Sequence, residues 1–230
     1  VADFRDLPIV TIDGPDSKDL DDAVYCIRKE NGHFELGVHI ADVSRYVKKG
    51  MLLDEEAYRR GNSVYLADRV IPMLPFQLSN DLCSLNHDED RYAMSCVMDV
   101  DQNGNVHTEK ITPSMVRVAR RCNYPEINKA FEEGIEPDDL KPFLPMLKDL
   151  KACADCLRKN RSEMMIEDAM IAANEAVARF LEKTGNTSVY RVHDHPDEEK
   201  LNALKRLVSI MGLPIHIPED PTPKDIQKLL

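Results

Sequence analysis

The sequence predicts an α+β fold: a mixed, largely antiparallel sheet built from hairpins and packed by helices drawn from the C-terminal half. Three patterns point there. Asn31-Gly32 and Asn103-Gly104 each join two β-rich runs, and Asn-Gly is a strong hairpin signal because both residues tolerate positive φ. From Tyr124 onward helical patterns dominate. In residues 164–183, Ile166, Met170, Ala173, Val177, Phe180 and Leu181 recur at three- and four-residue steps, which draws one apolar stripe along a helix.

In chain order, residues 8–13 (Pro-Ile-Val-Thr-Ile-Asp) read as a short buried strand ending at Asp13. Residues 23–29 and 33–40 form the first hairpin across Glu30-Asn31-Gly32. Residues 53–60 read as a helix, with acids at its start, bases at its end and Gly61 just beyond, a pattern that complements the helix dipole and supplies a left-handed cap. Residues 92–101 and 105–111 form a second hairpin in the same sheet. Residues 190–193 suit a short strand, and Pro196 precedes a helix over 197–211. A new helical pattern opens in residues 221–230, where the sequence stops in what reads as mid-domain.

Length and composition fit a chain with a real core. There are 230 residues, 43% hydrophobic and 31% charged, ordinary globular usage that argues against disorder. No apolar run reaches eighteen residues, and the first thirty lack a charged start followed by an apolar core. A soluble, cytoplasmic protein without membrane attachment is expected. The six cysteines are scattered through apolar contexts in a chain too large to need staples, so reduced core thiols are expected, Cys153-x-x-Cys156 included. The net charge of −11 argues against a general electrostatic grip on phosphates.

The acids are not evenly spread. Asp13, Asp19, Asp21 and Asp22 fall within ten residues directly after the first strand, and Gly14-Pro15 allows the chain to turn there. Crowded carboxylates repel and raise each other's pKa unless something positive sits between them. Hard oxygen donors suit Mg²⁺, or Mn²⁺, with waters and substrate phosphates completing the shell. Two such ions about 4 Å apart clamp the attacking and leaving oxygens of a phosphoryl transfer. Composition alone leaves a plain solvated acidic loop as the commoner explanation. An EF-hand is excluded, because no register from Asp13, Asp16 or Asp19 has acids, Gly and Glu at the required steps. His193-Asp194-His195 reads first as a polar turn before Pro196, with metal binding or acid and base chemistry as the alternatives, and Arg158-Lys159-Asn160-Arg161 as the solvated end of a helix.

The run Thr11-Ile-Asp-Gly-Pro-Asp-Ser-Lys-Asp-Leu-Asp-Asp-Ala23 resembles the signature of the catalytic domain of the ribonuclease II and ribonuclease R family of exoribonucleases. Six further blocks follow in family order: Gly37-Val-His-Ile-Ala-Asp-Val-Ser44, Arg60-Gly-Asn-Ser-Val-Tyr65, Ile71-Pro-Met-Leu-Pro75, Leu78-Ser-Asn-Asp-Leu-Cys-Ser-Leu85, Met165-Ile-Glu-Asp-Ala-Met-Ile-Ala-Ala-Asn174 and Tyr190-Arg-Val-His193. Ribonuclease R is the nearer branch. The resemblance implies a processive 3′→5′ hydrolytic exoribonuclease that takes the 3′ end of a single RNA strand into a channel, part of which this sheet forms, and releases nucleoside 5′-monophosphates. It implies that Asp13, Asp19, Asp21 and Asp22 bind Mg²⁺ and position or activate the attacking water, with Asp21 essential to chemistry. It further implies that Tyr65 stacks near the terminal base and Glu167 touches the terminal ribose, while Arg191 and His193 line the channel. RNA-degradation or ribosome-associated machinery is the expected company of such an enzyme.

Two departures from the family qualify this expectation. Several dozen residues that the family carries between Arg161 and Met165, including one phenylalanine of the base clamp, are missing from the sequence, through deletion or disorder. The arginine-rich last third of the family's domain lies beyond Leu230. Residues 1–230 therefore read as the first two-thirds of that catalytic domain, without the N-terminal cold-shock and C-terminal OB-fold domains. The competing expectation is a catalytically inactive RNA-binding or assembly piece of the same fold.

Overall fold

A computed structural model describes residues 1–66, 69–158, 165–185, 189, 197–210, 217–218 and 221. The chain divides into two compact units, Val1–Asn186 and Thr187–Leu230. In the first unit the strands are β1 (Ala2–Asp3), β2 (Val10–Asp13), β3 (Asp22–Arg28), β4 (Phe34–Ala41), β5 (Val64–Tyr65), β6 (Val70–Ile71), β7 (Asp90–Val100), β8 (Val106–Arg117) and β9 (Arg120–Asn123). Its helices are α1 (Leu52–Arg60), α2 (Tyr124–Asn128), α3 (Leu144–Arg158) and α4 (Met165–Thr184). Seven strands form one sheet in the order β1-β8-β7-β4-β3-β2-β9, while β5 and β6 pair separately. Among the named strands only β1 with β8 and β2 with β9 are parallel, so the sheet is mixed and largely antiparallel, as expected.

Both predicted hairpins form. β3 and β4 pair from Asp22↔Ile40 to Arg28↔Phe34, around Gly32 at φ 83°. β7 and β8 pair from Asp90↔Arg117 to Val100↔Val106, with a bulge beside Asp99 and Gly104 at φ 81° in the turn. Side chains alternate across such strands, and here the two faces differ. Val24, Cys26, Leu36, Val38 and Met98 are buried with Leu147, Leu150 and Cys153 of α3 and with the small residues Ala169, Ala173 and Ala176 of α4. On the other face Tyr25 stacks on His39, and Phe4 packs on the same imidazole. Gly37 makes room for the Tyr25 ring, since a Cβ there would lie 2.1 Å from it.

Four details differ from the sequence reading or extend it. β9 was not anticipated: four polar-biased residues carry no alternation signal, and their partner β2 lies far back in the chain. Asn123 then caps α2, accepting from the Glu126 N–H while the Glu126 side chain accepts from the Asn123 N–H, a capping box with Pro125 in the first turn. The predicted stripe on α4 is only partly its buried side. Ile166, Ala169, Ala172, Ala173 and Ala176 are buried, whereas Phe180 is 44% exposed. The six cysteines are all free thiols, five of them buried.

The second unit is described by α5 (Glu198–Ile210), which matches the helix expected over 197–211. Asp197 caps it by accepting from the N–H groups of Glu199 and Lys200. The strand expected at 190–193, residues 222–230 of the last expected helix and the junction at 161–164 lie outside the described residues. Among the described residues no helix is long and apolar enough to cross a membrane.

Candidate active site

β2 and β3 are antiparallel neighbours in register at Val10↔Val24. The last residue of β2 and the first of β3 therefore lie at the same end of the sheet, and these are Asp13 and Asp22. Parallel pairing of β9 with β2 sets Asn123 opposite Asp13, so α2 begins beside the carboxylates with Tyr124. The first turn of α4 closes the other side. Together they enclose an open pocket of about 440 Å³ lined by Asp13, Asp22, Tyr124, Glu167 and Asn174, with apolar residues of β2 and α4 completing its wall. Its size is within the roughly 300–1,000 Å³ usual for ligand clefts.

The electrostatics of the site are strained. Lost hydration is the main cause pushing the Asp13 carboxyl up to about 6, and the charges of Asp22, Asp19 and Asp21 add to it, while the Arg121 guanidinium pulls the other way. Asp21 and Asp22 are also raised, each first by lost hydration and then by a neighbour, Asp19 for Asp21 and Asp21 for Asp22. Tyr124 is pushed up by burial and by the charges of Asp13, Asp22 and Glu167. The Oδ2 atom of Asp13 is buried without a hydrogen-bond partner among the described residues. An acceptor in that position is costly unless a proton or a cation satisfies it.

The loop carrying the remaining acids is held from outside. Ser84, fully buried, accepts through Oγ from the Leu20 N–H at 3.0 Å, and that same hydroxyl lies 3.1 Å from the Lys18 carbonyl. The Leu85 N–H donates to the Leu20 carbonyl, and the Ala41 N–H to that of Asp21. Buried Leu20 pins the middle of an otherwise exposed acidic run. At the end of α3, Arg158 pairs with buried Asp168 at 3.1 Å, which fastens the first turn of α4 next to Glu167. That gives one member of the basic cluster a structural role.

The structure thus brings Asp13, Asp22 and Glu167 to one pocket, while Asp19 and Asp21 do not line it but act on the Asp13 carboxyl through their charge. Among the described residues no three His, Cys, Asp or Glu side chains form a ready-made metal cage. Tyr65 stands apart from the pocket lining, on the small β5–β6 sheet and 70% exposed. Arg191 and His193 lie outside the described residues. Sequence reasoning missed Tyr124 and Asn174. The Asn123-Tyr-Pro-Glu126 cap was a local signal for a helix start, but nothing local said that this start faces Asp13.

The RNB domain family pattern matches residues 1–164 and 159–229. Ribonuclease R of Thermotoga maritima is 38% identical over 262 residues, covering 99% of this chain and 37% of the relative. Ribonuclease R 2 of Lactococcus lactis is 39% identical, covering 93% of this chain and 38% of the relative. Both alignments are longer than the 230 residues of this chain, over 262 and 252 residues, as extra residues in the relatives require. Among solved structures, Mycoplasma genitalium RNase R in complex with ribose-methylated single-stranded RNA superposes with a TM-score of 0.88 at 31% identity, over 99% of this chain and 41% of that one. Yeast Ssd1, described as a pseudonuclease, shares the fold with a TM-score of 0.73 at 17% identity, over 99% of this chain and 32% of that one. The chain therefore spans a little over a third of the length of the curated relatives.

Proposed function

The chain belongs to the RNB domain family, and on that premise we propose that it is the central part of a processive 3′→5′ exoribonuclease that hydrolyses single-stranded RNA to nucleoside 5′-monophosphates in the cytoplasm. One observation carries the reading. Two hydration-starved carboxylates, Asp13 and Asp22, share a pocket with Glu167 and the Tyr124 ring, in a chain more than a third identical to ribonuclease R over nearly its whole length.

Asp13, Asp19, Asp21 and Asp22 would hold Mg²⁺ or Mn²⁺. The orphaned Oδ2 of Asp13 and the mutual repulsion around it fit a hard cation. Bound there, a divalent cation supplies Lewis acidity and charge neutralisation for phosphodiester hydrolysis. The protein's own groups do the rest. Asp21, exposed beside Asp22, orients the attacking water. Glu167 accepts a hydrogen bond from the terminal ribose, and a contact to the 2′-hydroxyl is how RNA is told from DNA. Tyr65 offers an exposed ring for a base, a sequence-tolerant contact worth about 1–3 kcal/mol.

The competing reading is an RNA-binding piece without activity, favoured by the recurrence of the fold in a pseudonuclease. A 3′-labelled oligoribonucleotide separates the two. With Mg²⁺, a protein carrying this chain at its relatives' full length is expected to release labelled monophosphate, and Asp21→Asn to slow release at least about 100-fold. No release, or release untouched by Asp21→Asn, overturns the enzyme reading.

A further inference from the structure

The loop that carries the acids, residues 14–21, makes little structure of its own. Within it, the Ser17 N–H donates to the Gly14 carbonyl at 3.2 Å. Its second half is fixed by Ser84, as described above. Among the described residues, its first half is held by a side chain from a remote strand. Nη2 of Arg121 donates to the Pro15 carbonyl at 3.1 Å and to the Ser17 carbonyl at 2.6 Å. The pairing Thr11↔Arg121 between β2 and β9 places it there. Alternation along β9 separates it from its neighbour, since Arg120 is buried and engages Glu126 and Asp139, whereas Arg121 is exposed.

We propose that Arg121 is a positioning residue for the acidic loop: by bridging two loop carbonyls it presets the path from Asp13 to Asp22, and it does so through the backbone and not as an RNA contact. The inference rests on the reading of these carboxylates as a cation site. The geometry has a physical logic. A loop crowded with like charges tends to open, and opening carries Asp19 and Asp21 away from Asp13. A guanidinium bound to backbone oxygens resists that without occupying a carboxylate, so every acid stays available to a cation. Arg121 is also a cation whose charge offsets the acids crowded around Asp13. Both bonds leave the one Nη2 atom, whose two N–H groups are fixed in the guanidinium plane, so less order is lost per hydrogen bond than for the freely rotating ammonium of a lysine.

Latch and charge make opposite predictions for metal affinity. If Arg121 acted only as a positive charge, Arg121→Gln would tighten Mn²⁺ binding and Arg121→Lys would leave it unchanged. If it is a latch, both variants bind Mn²⁺ more weakly, Gln by about 10–100-fold, the usual effect of losing a group that orients metal ligands, and Lys by less. The probe is Mn²⁺ itself, followed by loss of the free-ion electron paramagnetic signal, on a protein carrying this chain, with Asp13→Asn/Asp22→Asn as the site control. Unfolding temperatures should agree within a few degrees, because the exposed bonds of Arg121 contribute little to global stability. On an oligoribonucleotide with Mg²⁺, Arg121→Gln should lower kcat about 10–100-fold while KM changes less than about threefold. Unchanged or tighter Mn²⁺ binding by Arg121→Gln overturns the latch. A raised KM at normal kcat also overturns it, making Arg121 an RNA contact. Failure of the unaltered protein to bind Mn²⁺ removes the cation reading and the latch with it. Mn²⁺ binding without nuclease activity removes the exonuclease reading alone, and the affinities still decide the latch.

Discussion

Half-buried Asp13 and fully buried His39 are titratable residues whose stability effects run in opposite directions with pH. The Asp13 carboxyl is raised to about 6 from an ordinary 3.8. Its contribution is present in full below about pH 3.8 and is lost as pH rises through 6. Asp13→Asn should therefore stabilise the metal-free protein at pH 7, by on the order of 1 kcal/mol after allowance for partial solvent screening, while removing activity. Melting curves at pH 5 and 7 with chelator check this: the gain should be present at pH 7 and smaller at pH 5. His39 is fully buried and its imidazole is lowered to about 4 by lost hydration. Its chain of contacts is consistent with a neutral ring. The Ser114 hydroxyl donates to the Ala93 carbonyl, Ser114 and Ser95 share a bond of 2.5 Å, and Ser95 lies 2.5 Å from Nδ1 of His39. With the Ser114 proton used, Ser95 donates to Ser114, and Nδ1–H of His39 donates to Ser95. The stability His39 confers is complete above about pH 6.5 and is lost as pH falls toward 4, on the order of 2–3 kcal/mol. His39→Gln should flatten the stability–pH curve in that window, measured by urea unfolding; an unchanged slope would count against the neutral-ring assignment.

At the scale of elements, the hairpins were legible because their turn chemistry is local. Asn31-Gly32 and Asn103-Gly104 announce positive φ, and Gly32 and Gly104 have it. The second turn does more than reverse the chain. A Cβ on Gly104 would lie 2.4 Å from the Cys156 carbonyl oxygen, so the tip of the β7–β8 hairpin seats directly on the last turn of α3. Gly104→Ala meets strained backbone and a backbone clash together, and should cost about 2–4 kcal/mol. Denaturant midpoints would show it; a loss below about 0.5 kcal/mol would mean that the hairpin tip does not rest on α3. β9 was not legible, because four residues with two arginines make no periodic pattern and are strand only through β2. The buried side of α4 was half legible. Its periodicity named a helix, but the sheet selects the small residues Ala169, Ala172 and Ala176 for close approach, and leaves Phe180 outward.

On the scale of the whole molecule, a cation bound at the carboxylates should stabilise the fold by mass action, about 2.7 kcal/mol at a hundred times the dissociation constant. Mg²⁺ or Mn²⁺ should therefore raise the unfolding temperature at pH 7, and Asp13→Asn/Asp22→Asn should abolish the shift; a shift that survives in the double variant would place the cation elsewhere. This chain alone, a little over a third of its relatives' length, is expected to release little monophosphate from a labelled oligoribonucleotide. The sequence by itself determined the α+β class, both hairpins, the main helices and the identity of the acids, because turn preference, periodicity and residue type are properties of short stretches. Only the tertiary structure decided that Asp13 and Asp22 share a pocket with Tyr124, Glu167 and Asn174, that Tyr65 stands apart from it, and that Arg121 holds the loop. Those outcomes depend on strand pairing and helix packing between distant segments, whose partners are chosen by burial across the whole chain and leave no mark in any one window of it.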